Sequence, residues 1–136
     1  MGAMSRRKGA SGEREAIAIL RHELGLQNLE RRLEQWRSGG SDVVGLEAFG
    51  WSVEIKRAKQ WLNSWWEQAV EQGHTEGRMP VLIYRLDRKQ WMARMRAADL
   101  VPELTETGDS WWVEMELGTW CQVARERMSG GEGNDE

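Results

Sequence analysis

Apolar and polar positions alternate strictly along Trp51-Ser52-Val53-Glu54-Ile55-Lys56-Arg57, the period-two pattern of a strand with one face in a core. Trp51, Val53 and Ile55 share one face; Ser52, Glu54 and Lys56 share the other. Upstream, Ser41-Asp42-Val43-Val44-Gly45-Leu46 is a second strand-like run that opens on an acid. Glu47-Ala48-Phe49-Gly50 between them reads as a hairpin turn, which would bring Asp42 toward Glu54 and Lys56.

The remaining pattern supplies the surroundings. Residues 11–24 predict a helix with Ser11 as N-cap, Glu13 and Glu15 in its first turn and Gly25 at its end. Ile17, Leu20 and Leu24 form its buried stripe. Glu13 falls on that stripe, where a carboxylate is costly unless paired or held by a metal; the bland alternative is an acid that complements the helix dipole. Residues 29–36 are ambiguous between short helix and strand and are taken as a strand. A helix over 61–72 carries Trp61, Leu62, Trp65, Trp66, Ala69 and Val70 at helical spacing. Those tryptophans suit either packing on the sheet or a dimer interface. Residues 73–78 read as a loop. The apolar run 80–86 predicts a central strand buried on both faces, with 90–96 as its hairpin partner. Residues 97–110 form a polar connector with about one helical turn, 111–117 an outer strand and 119–128 a last helix.

On chemistry, two carboxylates and an amine at one strand end suit metal-dependent phosphodiester hydrolysis. Acids hold a hard, oxygen-seeking cation such as Mg2+, with Mn2+ as substitute, while Lys56 can orient a water or offset transition-state charge. An ordinary Glu–Lys neighbour pair on a solvated face would give the same letters.

Composition bounds the setting. The 136 residues suit one globular domain. The expected division is a flexible basic arm (1–9), a single domain (10–128) and a disordered, Gly- and acid-rich tail (129–136). No run approaches a membrane span. The lone Cys121 and two histidines leave no internal disulfide and no structural zinc site, which makes a cytoplasmic location the default. The formal charge is −3. It is uneven: residues 1–59 hold 11 Lys and Arg against 8 Asp and Glu, so the basic half is the one with the candidate site. Arg6, Arg7 and Lys8 in the arm, and Arg57 beside Lys56, are candidate phosphate contacts.

An acid on the first helix, an acid opening the second strand and Glu-x-Lys on the third resemble the PD-(D/E)XK nuclease superfamily. Arg7-Lys8-Gly9-Ala10-Ser11-Gly12-Glu13-Arg14-Glu15, then Arg37-Ser38-Gly39-Gly40-Ser41-Asp42 and Val53-Glu54-Ile55-Lys56, resemble archaeal-type Holliday junction resolvases and their phage relatives. Ser41 stands where the motif has proline, and the chain from Asp99 onward matches nothing in that pattern. The resemblance implies an α/β fold with a restriction-endonuclease-like core (α-β-β-β-α-β-β), a mixed central sheet flanked by helices. It implies Asp42, Glu54 and the Ile55 carbonyl as metal ligands, Lys56 at the attacking water, and Glu13 completing the acidic cluster. Arg14 with Arg31, Arg32 or Arg37 would hold phosphates. It further implies a Mg2+-dependent structure-selective endodeoxyribonuclease acting on four-way junctions as a homodimer, with Trp61, Trp65 and Trp66 as candidate interface. Repair, packaging or end-processing nucleases of the same core, and a non-catalytic DNA-binding or interaction module, are the alternatives.

Overall fold

The computed structural model describes residues 2–33 and 41–133, with side chains over 9–33 and 41–129. Helix α1 (Gly2–Leu24) leads to β1 (Glu30–Arg31), β2 (Val43–Val44), a 3-10 turn (Glu47–Phe49) and β3 (Trp51–Ala58). Helix α2 (Ser64–Glu76) crosses to β4 (Met79–Leu86), which is followed by β5 (Met92–Arg96), the short α3 (Ala97–Leu100), a 3-10 segment (Pro102–Thr107), β6 (Trp112–Glu116) and α4 (Leu117–Gly133). The main sheet runs β3-β4-β5-β6; β3 and β4 are parallel and the other pairs antiparallel. This is the mixed α/β architecture, with helices flanking a mixed sheet, that the motif order implied.

Strand parity decides what each face of the sheet does. Paired residues point the same way, so register places Glu54, Leu82, Arg94 and Glu114 in one row and Val53, Val81, Met95 and Val113 in another. The odd-numbered face is the larger core. Ala16, Ile17, Leu20 and Leu24 of α1 and Trp120, Cys121 and Ala124 of α4 pack there on Val53, Ile55, Val81 and Ile83. Trp51 and Trp120 meet edge to face at 5.3 Å. On the even-numbered face α2 covers only part of the sheet, packing Trp65, Trp66 and Ala69 on Leu82 and Tyr84. Glu54 and Lys56 lie on this thinner side.

Several boundaries differ from the pattern reading. Helix α1 starts at Gly2, so Ser11 is an interior residue and not an N-cap; the preceding Ala, Met, Arg and Lys are good helix formers. Arg6, Arg7 and Lys8 fall inside this helix; their side chains, and all of Arg37, lie outside the described residues. The proposed hairpin of 41–46 with 51–57 is not a ladder. β2 pairs antiparallel with β1, and the Asp42 N–H donating to the Val53 carbonyl at 2.7 Å ties it to β3. Helix α2 does not stop at Gly73: it continues to Glu76 and is closed by Gly77 in the left-handed region at φ 68°. Gly73 is an interior residue of α2, and glycine is needed there because a Cβ would sit 2.8 Å from the Arg78 carbonyl oxygen. His74 is therefore helical, bonded through Nε2 to Asp109 Oδ2 at 2.7 Å. The last helix begins at Leu117 and runs to Gly133, past the expected end at residue 128.

Candidate active site

Asp42 reaches the site from the short segment between Ser41 and β2. It is buried, and its Oδ2 accepts the Ile55 N–H at 2.6 Å. That bond turns the carboxyl toward β3, where it also hydrogen-bonds the Glu54 carboxyl. Burial, then the neighbouring Asp42 charge, pushes Glu54 up to about 9. Burial raises Asp42 as well, against the Ile55 N–H and the Lys56 charge, which favour its ionised form. The pair thus shares a proton near neutrality: two buried carboxyls in contact cannot both ionise unaided. Glu54 Oε2 is buried with no hydrogen-bond partner among the described residues.

That orphaned oxygen and the mutual repulsion fit a divalent cation. Among the described residues no group of three or more Asp, Glu, His or Cys side chains is placed to hold a metal. One or two carboxylates completed by water and substrate phosphate are enough to hold a hard divalent cation.

A third acid comes from α2. Glu76 Oε2 accepts the Ser41 N–H at 2.9 Å and Gln72 Nε2 at 2.7 Å, and Oε1 receives Arg78 Nη1 at 3.2 Å. Glu76 thereby grips the residue next to Asp42, and its charge adds to the upward pressure on Glu54. The sequence held a signal for it. Taking Gly77 as the helix end keeps Gln72 and Glu76 one turn apart on α2.

The other sequence-derived candidates separate into groups. The structure brings Asp42, Glu54 and Lys56 together. Glu13, half-buried on α1, has Oε1 3.6 Å from Arg31 Nε, and does not join the pair as the third member of a metal-holding group among the described residues. Arg31 also donates to the Ala10 carbonyl. Arg32 is a brace: Nε donates to the Ser41 carbonyl at 2.7 Å and Nη2 meets Glu47 at 2.5 Å. Arg57 lies 3.6 Å from Asp87. Arg14 is exposed on α1. Trp65 and Trp66 are only 5% and 9% exposed, consumed by the sheet, which leaves little of them for a partner. Trp61 is half-buried, edge to face with Tyr84 at 4.9 Å and with the Arg94 guanidinium over its ring at 4.6 Å.

A mixed sheet whose strand presents Glu-x-Lys beside an aspartate from the preceding segment defines the PD-(D/E)XK class of nucleases. The chain belongs to the family described as Phage putative PDDEXK endonuclease, whose model matches residues 4–126. No curated protein and no solved structure matches it. Among the described residues no helix is long and apolar enough to cross a membrane.

Proposed function

We propose that this chain is a Mg2+-dependent, structure-selective endodeoxyribonuclease whose substrate is branched DNA, the four-way junction first. The observation that supports metal-dependent cleavage is the buried Asp42–Glu54 pair beside Lys56, with one carboxylate oxygen left unpartnered. Asp42 and Glu54, with the Ile55 carbonyl, would hold the ion. When bound, the ion supplies Lewis acidity at the scissile phosphate and offsets charge on the leaving oxygen. Asp42 is held to one orientation by the Ile55 N–H, so its carboxylate is preorganised. Lys56 shares the face of Glu54, and its ammonium would orient the attacking water and offset transition-state charge. Arg14, exposed on α1, contacts phosphate. Junction choice and action as a homodimer rest on the Arg7–Glu15 and Arg37–Asp42 motifs that resemble junction resolvases.

Labelled four-way junctions and linear duplex, incubated with protein and Mg2+ or EDTA, test this reading. Paired symmetric nicks on junctions, absent in EDTA, are expected. Equal cutting of linear duplex would replace junction resolution by a broader nuclease role. Binding without cleavage under Mg2+ and Mn2+ would remove the enzyme. Lys56→Ala should abolish cutting and leave binding intact.

A further inference from the structure

A cleft of about 510 Å³ lies at the β4–β5 hairpin, lined by Tyr84, Leu86, Arg88, Lys89, Gln90 and Met92. Its floor is apolar: Leu86 and Met92 are half-buried and Tyr84 closes the inner end. Its rim is polar and basic, with Arg88, Lys89 and Gln90 exposed. Tyr84, Leu86 and Met92 are even-numbered and so share the face of Glu54 and Lys56. Register sets Tyr84 opposite Lys56 and Leu86 opposite Ala58, two residues further along β3. The cleft therefore begins beside the lysine and extends roughly 7 Å beyond it, about two base-pair rises of DNA.

The backbone at the rim supplies an independent observation. Arg88 has φ 66°, and it is the non-glycine residue with positive φ among the described residues. A Cβ in that region crowds the following carbonyl, so glycine is the residue such a turn ordinarily selects. Neighbouring bonds hold the turn: Lys89 N–H donates to the Leu86 carbonyl at 3.0 Å, Asp87 N–H to the Ala58 carbonyl at 3.1 Å and Arg85 Nε to the Lys89 carbonyl at 2.7 Å. The Arg88 and Lys89 side chains enter no ion pair among the described residues, although carboxylates neutralise Arg94 and Arg96 on the adjoining strand. A long cation is kept where glycine would fit with less strain, and its charge is left open to solvent.

We infer that this cleft seats an unpaired nucleotide of the DNA substrate next to the scissile phosphate, its base on Leu86, Met92 and Tyr84 and its phosphate at Arg88 and Lys89. The inference rests on the nuclease reading above. Charge complementarity accounts for the rim, whereas a fully paired duplex would offer the apolar floor only sugar and phosphate. Exposed bases are what apolar and aromatic floors accept. A branch point supplies such a base.

The test measures binding to gapped DNA and to blunt duplex of equal length in the full-length Lys56→Ala background, comparing Arg88→Gly and the double change with Lys89→Ser. Gapped DNA should bind at least about fivefold tighter than duplex. The double change should weaken gapped binding about tenfold and erase the preference. It should also lower the slope of log K against log salt by about 0.7–0.9 for each phosphate no longer neutralised. Arg88→Gly should at the same time keep or raise the melting temperature, which separates weaker phosphate binding from a damaged fold. An unchanged preference, equal weakening on both DNAs, or no preference in the background protein would overturn the nucleotide seat. Failure of the unaltered chain to cut or bind any DNA would instead overturn the nuclease reading.

Discussion

The Ile55 N–H donates to Asp42 Oδ2 at 2.6 Å, so a main-chain amide of the strand that carries Glu54 also aims the aspartate. Loss of charge and loss of acceptor at Asp42 should therefore separate. Asp42→Asn keeps an acceptor for Ile55; cleavage should fall at least about a hundredfold while stability changes by less than about 1 kcal/mol. Asp42→Ala strands a buried N–H and should cost a further 1–3 kcal/mol or so. Single-turnover cleavage and urea denaturation of both variants check the split.

The Glu54 proton makes the metal-free fold sensitive to alkali. The unfolded carboxyl ionises near 4.5, while burial and Asp42 raise the folded one to about 9. Between those values the folded chain holds a proton that the unfolded chain has released. This contribution to stability is full below about 4.5 and declines as pH rises toward 9. In EDTA the melting temperature should fall across this window, and Glu54→Gln should flatten the profile. Mg2+ should raise the melting temperature of the unaltered chain at mildly alkaline pH and do little for Glu54→Gln.

Glu76 acts through Asp42, as a positioning residue. Glu76→Gln still offers an oxygen to the Ser41 N–H; it should retain cleavage within a few-fold, and by removing a charge that raises Glu54 it should make the alkaline loss of stability smaller and end it at a lower pH. Glu76→Ala leaves that N–H without its acceptor and should cut kcat by about tenfold or more, with KM for DNA little changed. Equal kinetics for the two variants would remove the positioning role.

Gly73 sets two effects against each other. In a helix interior alanine is favoured over glycine by about 1 kcal/mol, yet its Cβ would meet the Arg78 carbonyl oxygen at 2.8 Å and Pro80 at 3.1 Å. The clash is with backbone, which cannot rotate aside, so Gly73→Ala should destabilise by about 1–3 kcal/mol. Chemical denaturation of the purified variant gives the sign.

The parts of this molecule legible in the sequence are those with a local cause. Alternation from Trp51 to Arg57 identified β3 and the face carrying Glu54 and Lys56, and the apolar run after Met79 identified the central β4. What escaped depends on packing between segments distant along the chain. Gly73 looks like a stop signal until Arg78 and Pro80 fold back against it. Asp42 approaches Glu54 without a hairpin ladder because β2 spends its pairing on β1. The tryptophans of α2 fit the helical period whether they face a sheet or a second subunit, and only the packing of Trp65 and Trp66 on Leu82 and Tyr84 shows where those two go.

The grip of Glu76 on the Ser41 N–H has a bearing on biosynthesis. A nascent chain exposes Asp42 and Glu54 well before the acceptor that steadies their segment, and β3 precedes its parallel neighbour by the whole of α2. The two acids thus gain their anchor only once α2 has been made, and a ribosome-bound fragment ending before Glu76 carries both without the acceptor that holds their segment.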